Sequence, residues 1–145
     1  IEEEGMPFVR FSQIKSVKSD PNSVVLVDTI GHLRALYSLA TLVFVGKSLT
    51  IQGGHNIIEP AYFSKPVIVG PHMQNFRDVM LAFKNDNAVV EVQDSRELES
   101  AIDRLLSHPE EMAELGTKAR QVIFRQEGAI KRSMEIISHF LDKTL

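Results

Sequence analysis

The chain has no cysteine, so it can hold neither a disulfide framework nor a thiolate zinc site, which suits a reducing compartment. It has no excess of positive charge: 16 Lys and Arg stand against 19 Asp and Glu, and the net charge of −3 exerts no general pull toward nucleic acid. Its apolar runs fall far short of a membrane span, and its amino end has no basic and apolar leader. Internal repeats and low-complexity tracts are also missing. The start, Ile1-Glu2-Glu3-Glu4-Gly5, lacks an initiator Met and reads as the interior of a longer protein. What is present is ordinary for a globular domain: 145 residues, 43% hydrophobic and 24% charged, enough for one domain with a real core.

Short apolar runs alternate with segments of helical spacing. Phe8-Val9-Arg10-Phe11 alternates like a strand, Ser12 to Ser23 is polar, and Asp20-Pro21-Asn22 signals a turn. Val24-Val25-Leu26-Val27 and Leu42-Val43-Phe44-Val45 are unbroken apolar runs of the kind that fill strands covered on both faces. Between them Leu33, Leu36 or Tyr37, and Ala40 share a helical face, so this strand, helix and strand read as a βαβ unit with parallel strands. Val67-Ile68-Val69 is a third buried strand and Ala88 to Val92 a fourth parallel one, with a helix over Asn75 to Asn85 that faces Phe76, Val79, Met80 and Phe83 inward. Asp94-Ser95-Arg96-Glu97 carries a capping-box pattern ahead of a stripe of Leu98, Ile102, Leu105 and Leu106. Pro109 suits the first position of a helix bearing Met112, Leu115, Val122 and Ile123; Gly128 interrupts it, and a last helix presents Ile130, Met134, Ile137 and Leu141. The alternation predicts an α/β doubly wound parallel sheet, whose ligands sit at the carboxyl ends of the strands.

The glycine turns after Val27 and Val45 and the Gly70-Pro71 stop all fall at those ends. The most distinctive is Gly53-Gly54-His55-Asn56-Ile57-Ile58-Glu59-Pro60-Ala61. Two adjacent glycines let the backbone turn and let a ligand approach it, and Asn56 suits a cap for the helix that Ile57 and Ile58 begin. Free N–H groups there favour an anion, and Glu59, about one turn on, can accept hydrogen bonds from sugar hydroxyls. Gly46-Lys47-Ser48 mimics the end of a P-loop, but Thr41 stands where the first glycine is required, and Thr50 likewise breaks a nucleophile elbow around Ser48. His55 and Glu59, at i and i+4, have metal-pair spacing; His32 and His72 lie on neighbouring strand-end loops, but no third ligand is evident beside the pair.

The nine-residue run, followed by Pro66-Val67-Ile68-Val69-Gly70-Pro71-His72 and Asn75-Phe76, resembles the donor-binding half of the 3-deoxy-D-manno-octulosonic acid (Kdo) transferases, over nearly the whole chain. The resemblance implies a Rossmann-like domain, the carboxyl-terminal half of a GT-B glycosyltransferase, that binds CMP-Kdo. The acceptor would be a lipid A precursor in lipopolysaccharide core synthesis, at the cytoplasmic face of the bacterial inner membrane, to which the parent enzyme is peripheral or anchored. The general base would come from the other domain, so no catalytic residue is expected here, and neither a cofactor nor a metal is implied. Gly53, Gly54, His55 and Asn56 would meet the donor's phosphate, and Glu59 its ribose; Gly70, Pro71, His72 and Asn75 match the second motif. Thr29 and Gly31 belong to an Asp-Thr-x-Gly turn expected near the base, with His32 where the family usually has Glu. Ser48 would donate to phosphate or sugar, and Lys47 replaces the second glycine of the family's Gly-Gly-Ser-Leu.

Each of these residues has a plainer reading. Ser48 is equally a loop serine, His55 a capping or core histidine, and Glu59 a carboxylate favoured by the helix start alone. Gly31 can be a simple strand-to-helix turn, Asn75 a cap, and Arg34 and Arg77 solvated helix charges. At the level of function, the alternatives are a GT-B protein using a UDP-sugar, such as an N-acetylglucosamine transferase or epimerase, and a non-catalytic Rossmann-like module that binds a partner through its terminal helices.

Overall fold

A computed structural model describes residues 6–14, 23–50 and 53–142, with side chains described up to residue 125. The Asp20-Pro21-Asn22 turn and the Ile130, Met134, Ile137 and Leu141 stripe therefore lie outside the described residues and side chains. The chain divides into two units, residues 1–35 and 36–145.

In the first unit β1 (Phe8–Arg10) and β2 (Val24–Leu26) run parallel, with Phe8 opposite Val24. A single turn of 3-10 helix, Phe11–Gln13, follows β1. Asp28, just past β2, accepts hydrogen bonds from the Ser12 hydroxyl at 2.7 Å and the Ser12 N–H at 3.0 Å, and Arg10 stands 3.9 Å away. The Ser12 hydroxyl, then its N–H, hold the Asp28 carboxyl below the usual aspartate range. Helix α1 (Leu33–Leu39) runs across the division between the units, and none of its residues is fully buried.

The second unit is built on β4 (Val67–Val69), flanked by β3 (Val43–Phe44) and β5 (Val90–Glu91), all parallel. Val43 pairs with Val67, and Ile68 with Val90. Successive side chains of a strand point to opposite faces, and here both faces are covered. Val67 and Val69 enter one core with Ile57, Ala61, Phe83 and Val122, while Ile68 enters a second with Val92, Leu105 and Leu115. This is the doubly wound arrangement expected from the apolar runs. The strand, helix and strand read as a βαβ unit span both units: β2 pairs with β1 in the first, and β3 with β4 in the second. The βαβ units of the second unit are β3–α2–β4, with α2 at Ile58–Tyr62, and β4–α3–β5, with α3 at Arg77–Asn85.

Both crossover helices end in the same way. Ser64 (φ 54°) and Asn87 (φ 49°) adopt the left-handed conformation. Past α2, Ser64 N–H donates to Ala61 O and Lys65 N–H to Pro60 O; past α3, Asn87 N–H donates to Lys84 O and Ala88 N–H to Phe83 O. These paired bonds satisfy the last carbonyls of each helix and turn the chain into the next strand. Helix α4 (Ser95–Ser107) starts on Asp94, whose carboxylate accepts from Arg96 and Glu97 N–H, and Glu97 reaches back to Gln93 N–H at 2.7 Å. Ala101 and Leu105 are buried, but Leu106, expected in the stripe, lies outside it at 52% exposure.

Helix α5 is one continuous element from Pro109 to Asp142, so Gly128 does not interrupt it. A glycine inside a helix costs about 1 kcal/mol relative to alanine, which is too little to break a helix this long. Gly116 of the same helix has a packing role: a Cβ there would stand 2.0 Å from the Ser64 carbonyl oxygen. The α5 backbone thus lies directly on the turn between α2 and β4. Gly116→Ala is expected to destabilise the domain by about 1–3 kcal/mol, the usual cost of overpacking. Urea unfolding that gave equal stability for the variant would contradict this contact.

Candidate functional site

The site expected at the carboxyl ends of the strands is assembled by two loops, one after β3 and one after β4. Where β3 ends, Val45 N–H continues the ladder to Ile68 O at 3.0 Å, and the chain then turns through Gly46, Lys47 and Ser48. Lys47 has φ 69°, a left-handed conformation natural to glycine. This accounts for its departure from Gly-Gly-Ser-Leu: the backbone keeps the glycine shape, and the lysine adopts it at a strain cost. Ser48 is fully buried. Its hydroxyl donates to Val45 O at 2.5 Å and accepts from Gly70 N–H at 2.8 Å, while its own carbonyl accepts from His72 N–H at 2.9 Å. The expectation that Ser48 donates to a ligand is therefore corrected, because its single proton is committed inside the protein. Gly70 is required for the same packing, since a Cβ on it would lie 2.3 Å from Ser48 O.

Gly53 (φ 125°) and Gly54 (φ 58°) both occupy conformations that other residues rarely adopt. They lock onto the second loop. Gly53 N–H donates to Gln74 Oε1 at 3.2 Å, a Cβ on Gly53 would meet Asn75 Nδ2 at 3.1 Å, and a Cβ on Gly54 would meet Met73 Sδ at 2.3 Å and His72 O at 3.1 Å. The structure thus brings Gly53, Gly54, Gly70, Pro71, His72 and Asn75 together. Asn75 does not cap α3, which has no side-chain cap; its amide lies against Gly53 instead. Gln74 was not singled out in the sequence, although it sits between two residues that were.

Past the glycines, Asn56 Oδ1 accepts at 2.9 Å from the N–H of Ile58, the first residue of α2, and its amide reaches Glu59 Oε1 at 3.5 Å. His55 is exposed and Glu59 half-buried. Because α2 has only five residues, its dipole is a weak source of attraction. The loop itself is a better one: among the described residues the N–H groups of Gly54, His55, Asn56 and Ile57 donate to no protein acceptor. Ile57 is fully buried, which leaves the N–H groups of Gly54, His55 and Asn56 beside a carboxylate, and these can hold an anion and a polyol together. Burial, and then the Glu59 charge, push the phenol of Tyr37, read in the sequence as a position on the inner face of α1, above the usual tyrosine range.

Thr29 and Gly31 belong to the first unit. Gly31 has φ 91°, and no atom lies within 4 Å of the place a Cβ would take, so its conformation rather than crowding calls for glycine. Thr29 Oγ1 is shielded from solvent without a hydrogen-bond partner among the described residues. His32 is stacked on Phe11, ring centroids 4.9 Å apart. Among the described residues no three His, Asp or Glu side chains are grouped so as to hold a metal ion, and no helix is long and apolar enough to cross a membrane.

Comparison with known proteins adds three kinds of likeness. The pattern of the family "Glycosyl transferases group 1" matches residues 21–122. Among curated proteins, the 3-deoxy-D-manno-octulosonic acid transferase of Haemophilus influenzae is 31% identical over 146 residues, covering 100% of this chain and 34% of the relative. The same-named transferase of Chlamydophila psittaci is 33% identical over 121 residues, covering 83% of this chain and 28% of the relative. A bifunctional glycosyltransferase/methyltransferase of Fusobacterium nucleatum is 32% identical over 106 residues, 72% of this chain and 17% of the relative. Among solved structures, the C-terminal CMP-Kdo binding domain of WaaA from Acinetobacter baumannii superposes with a TM-score of 0.77 at 32% identity, covering 84% of this chain and 63% of that one. The chain spans about a third or less of the length of these curated relatives.

The Ser48 clip has a measurable consequence. Ser48→Ala leaves the buried Gly70 N–H without its acceptor and is expected to cost about 1–3 kcal/mol in urea unfolding. Lys47→Gly, which relieves the left-handed lysine against the entropy of an added glycine, is expected to gain about 0.5–1 kcal/mol in the same measurement.

Proposed function

The chain belongs to the group 1 glycosyl transferases, and from that premise we propose that it is the donor-binding domain of an enzyme that moves Kdo from CMP-Kdo to a lipid A precursor. The observation that carries this reading is the run of N–H groups from Gly54 to Asn56, which have no acceptor among the described residues, beside Glu59, in a chain similar over most of its length to a CMP-Kdo binding domain. Phosphate oxygens of the cytidylate accept from that run, with His55 alongside, and Glu59 accepts from the ribose hydroxyls. The Asn56 amide, 3.5 Å from Glu59 Oε1, orients that carboxylate.

The share of catalysis assigned to these residues is electrostatic. As the bond from the Kdo anomeric carbon to the phosphate breaks, negative charge grows on the leaving cytidylate. Fixed N–H donors stabilise that charge without reorganising, and Lys47 adds a positive charge nearby. No metal is required of this arrangement. The base that deprotonates the acceptor hydroxyl lies outside these residues, in a part of the parent enzyme that meets the lipid acceptor at the cytoplasmic face of the inner membrane. Isolated, this domain binds donor without turnover.

A thermal-shift comparison of CMP and UDP tests the reading. CMP at a hundred times its dissociation constant is expected to add about 2.7 kcal/mol of stability, and UDP markedly less. Protection by UDP alone would point to a UDP-sugar enzyme, and protection by neither nucleotide to an interaction module. Glu59→Ala and His55→Ala are expected to weaken CMP about tenfold each, the scale of a hydrogen bond to a charged group. Unchanged CMP affinity in both variants would remove these residues from the site.

A further inference from the structure

A second recess opens on the far part of the β4 loop, a cavity of about 270 Å³ between Pro71–Gln74, α3 and the end of β5. That is room for about nine water molecules at their liquid volume, enough for a sugar ring. The buried side chains of Met73 and Met80 line it, and so does Gln74, the residue that holds Gly53 N–H. The cavity therefore borders the glycine loop through one shared side chain. It also sits at the carboxyl ends of β4 and β5, where ligands of such sheets are found.

Its charges are unbalanced. Lys84 and Glu91 both line the cavity, but they neutralise one another at 2.6 Å. Arg77, at the start of α3, also lines it, is exposed, and joins no ion pair among the described residues. The remaining charge is one guanidinium beside one amide over an apolar floor. A second cavity, of about 890 Å³ along α5, differs in this respect: Lys118 pairs with Glu114, Arg125 with Asp86, and Arg120 lies over the Phe124 ring.

We infer that the Pro71–Arg77 cavity receives the sugar-acid end of the donor, with Arg77 pairing its carboxylate and Gln74 bonding its hydroxyls. The inference rests on the donor reading and deepens it by assigning the part of the ligand that tells an ulosonic acid from a neutral sugar. A guanidinium presents two parallel N–H donors to a carboxylate, a geometry that lysine lacks. The apolar floor suits the C–H face of a sugar ring, and the single uncompensated charge gives the orientation.

Calorimetric titration of the 145-residue chain with CMP and with CMP-Kdo tests this in the unaltered protein, Arg77→Ala and Arg77→Lys. Arg77→Ala is expected to weaken CMP-Kdo about tenfold or more, the loss of a charge-assisted bond. It should leave CMP within about twofold, as for an exposed side chain that does not touch it. Arg77→Lys should recover part of the loss. If Arg77→Ala leaves CMP-Kdo unchanged, or weakens CMP and CMP-Kdo equally, the sugar-acid assignment is wrong while the donor reading stands. If the unaltered protein binds neither ligand, the donor reading fails and takes the assignment with it.

Discussion

The second unit depends on one buried hydroxyl. Ser48 Oγ links the last carbonyl of the β3 run to the first amide beyond β4. With both bonds made, the two strand-end loops cannot slide past one another, because a free Gly70 N–H at that depth would carry the full cost of desolvation. Gly70 has to lack a side chain for the approach to be possible. The Ser48 carbonyl then takes His72 N–H, and the segment from His72 to Asn75 is set in place against Gly53 and Gly54. A chain of close contacts thus runs from the sheet to the surface loop. A functional backbone held this way needs little ordering when a ligand arrives.

This hierarchy separates what could be read in the chain from what could not. The strands of the second unit were legible because a sheet covered on both faces needs unbroken apolar runs, and Val67-Ile68-Val69 is one. Helix α4 was legible because Asp94 and Glu97 satisfy its first N–H groups with their own side chains. The glycine loop was legible because two left-handed residues in succession leave little choice of residue type. Gly116 and Gly128 look alike in sequence, yet one lies against the Ser64 carbonyl and the other is a tolerated helix position. Ser48 misled for a similar reason: a serine in a polar loop next to a candidate site reads as a ligand donor until its burial is known. Gln74 was passed over because its role arises from what lies opposite it, the Gly53 N–H.

The chain's overall charge does not favour its proposed ligand. A net charge of −3 repels a nucleotide bound to an acidic sugar. At physiological ionic strength, however, charges more than about 8 Å apart are largely screened. The local inventory therefore decides. Around the two loops it consists of N–H groups without an acceptor among the described residues, the exposed His55, the Lys47 ammonium and the Arg77 guanidinium, against the half-buried Glu59 carboxylate.

Both departures from the family's usual residues fit this picture. His32, where the resemblance implies a glutamate, lies against Phe11 with the two rings tilted at 44° and their centroids 4.9 Å apart. Lys47 stands where a glycine is usual and keeps the left-handed backbone. Strain of that kind persists only where the surroundings over-determine the conformation, and the neighbouring Ser48, tied at both its hydroxyl and its carbonyl, supplies that constraint. The clip that holds the loops together is thus also what lets a charged residue occupy a glycine position at the mouth of the site. Changes at Lys47 alter the charge presented to a ligand, whereas changes at Ser48 alter the shape that presents it.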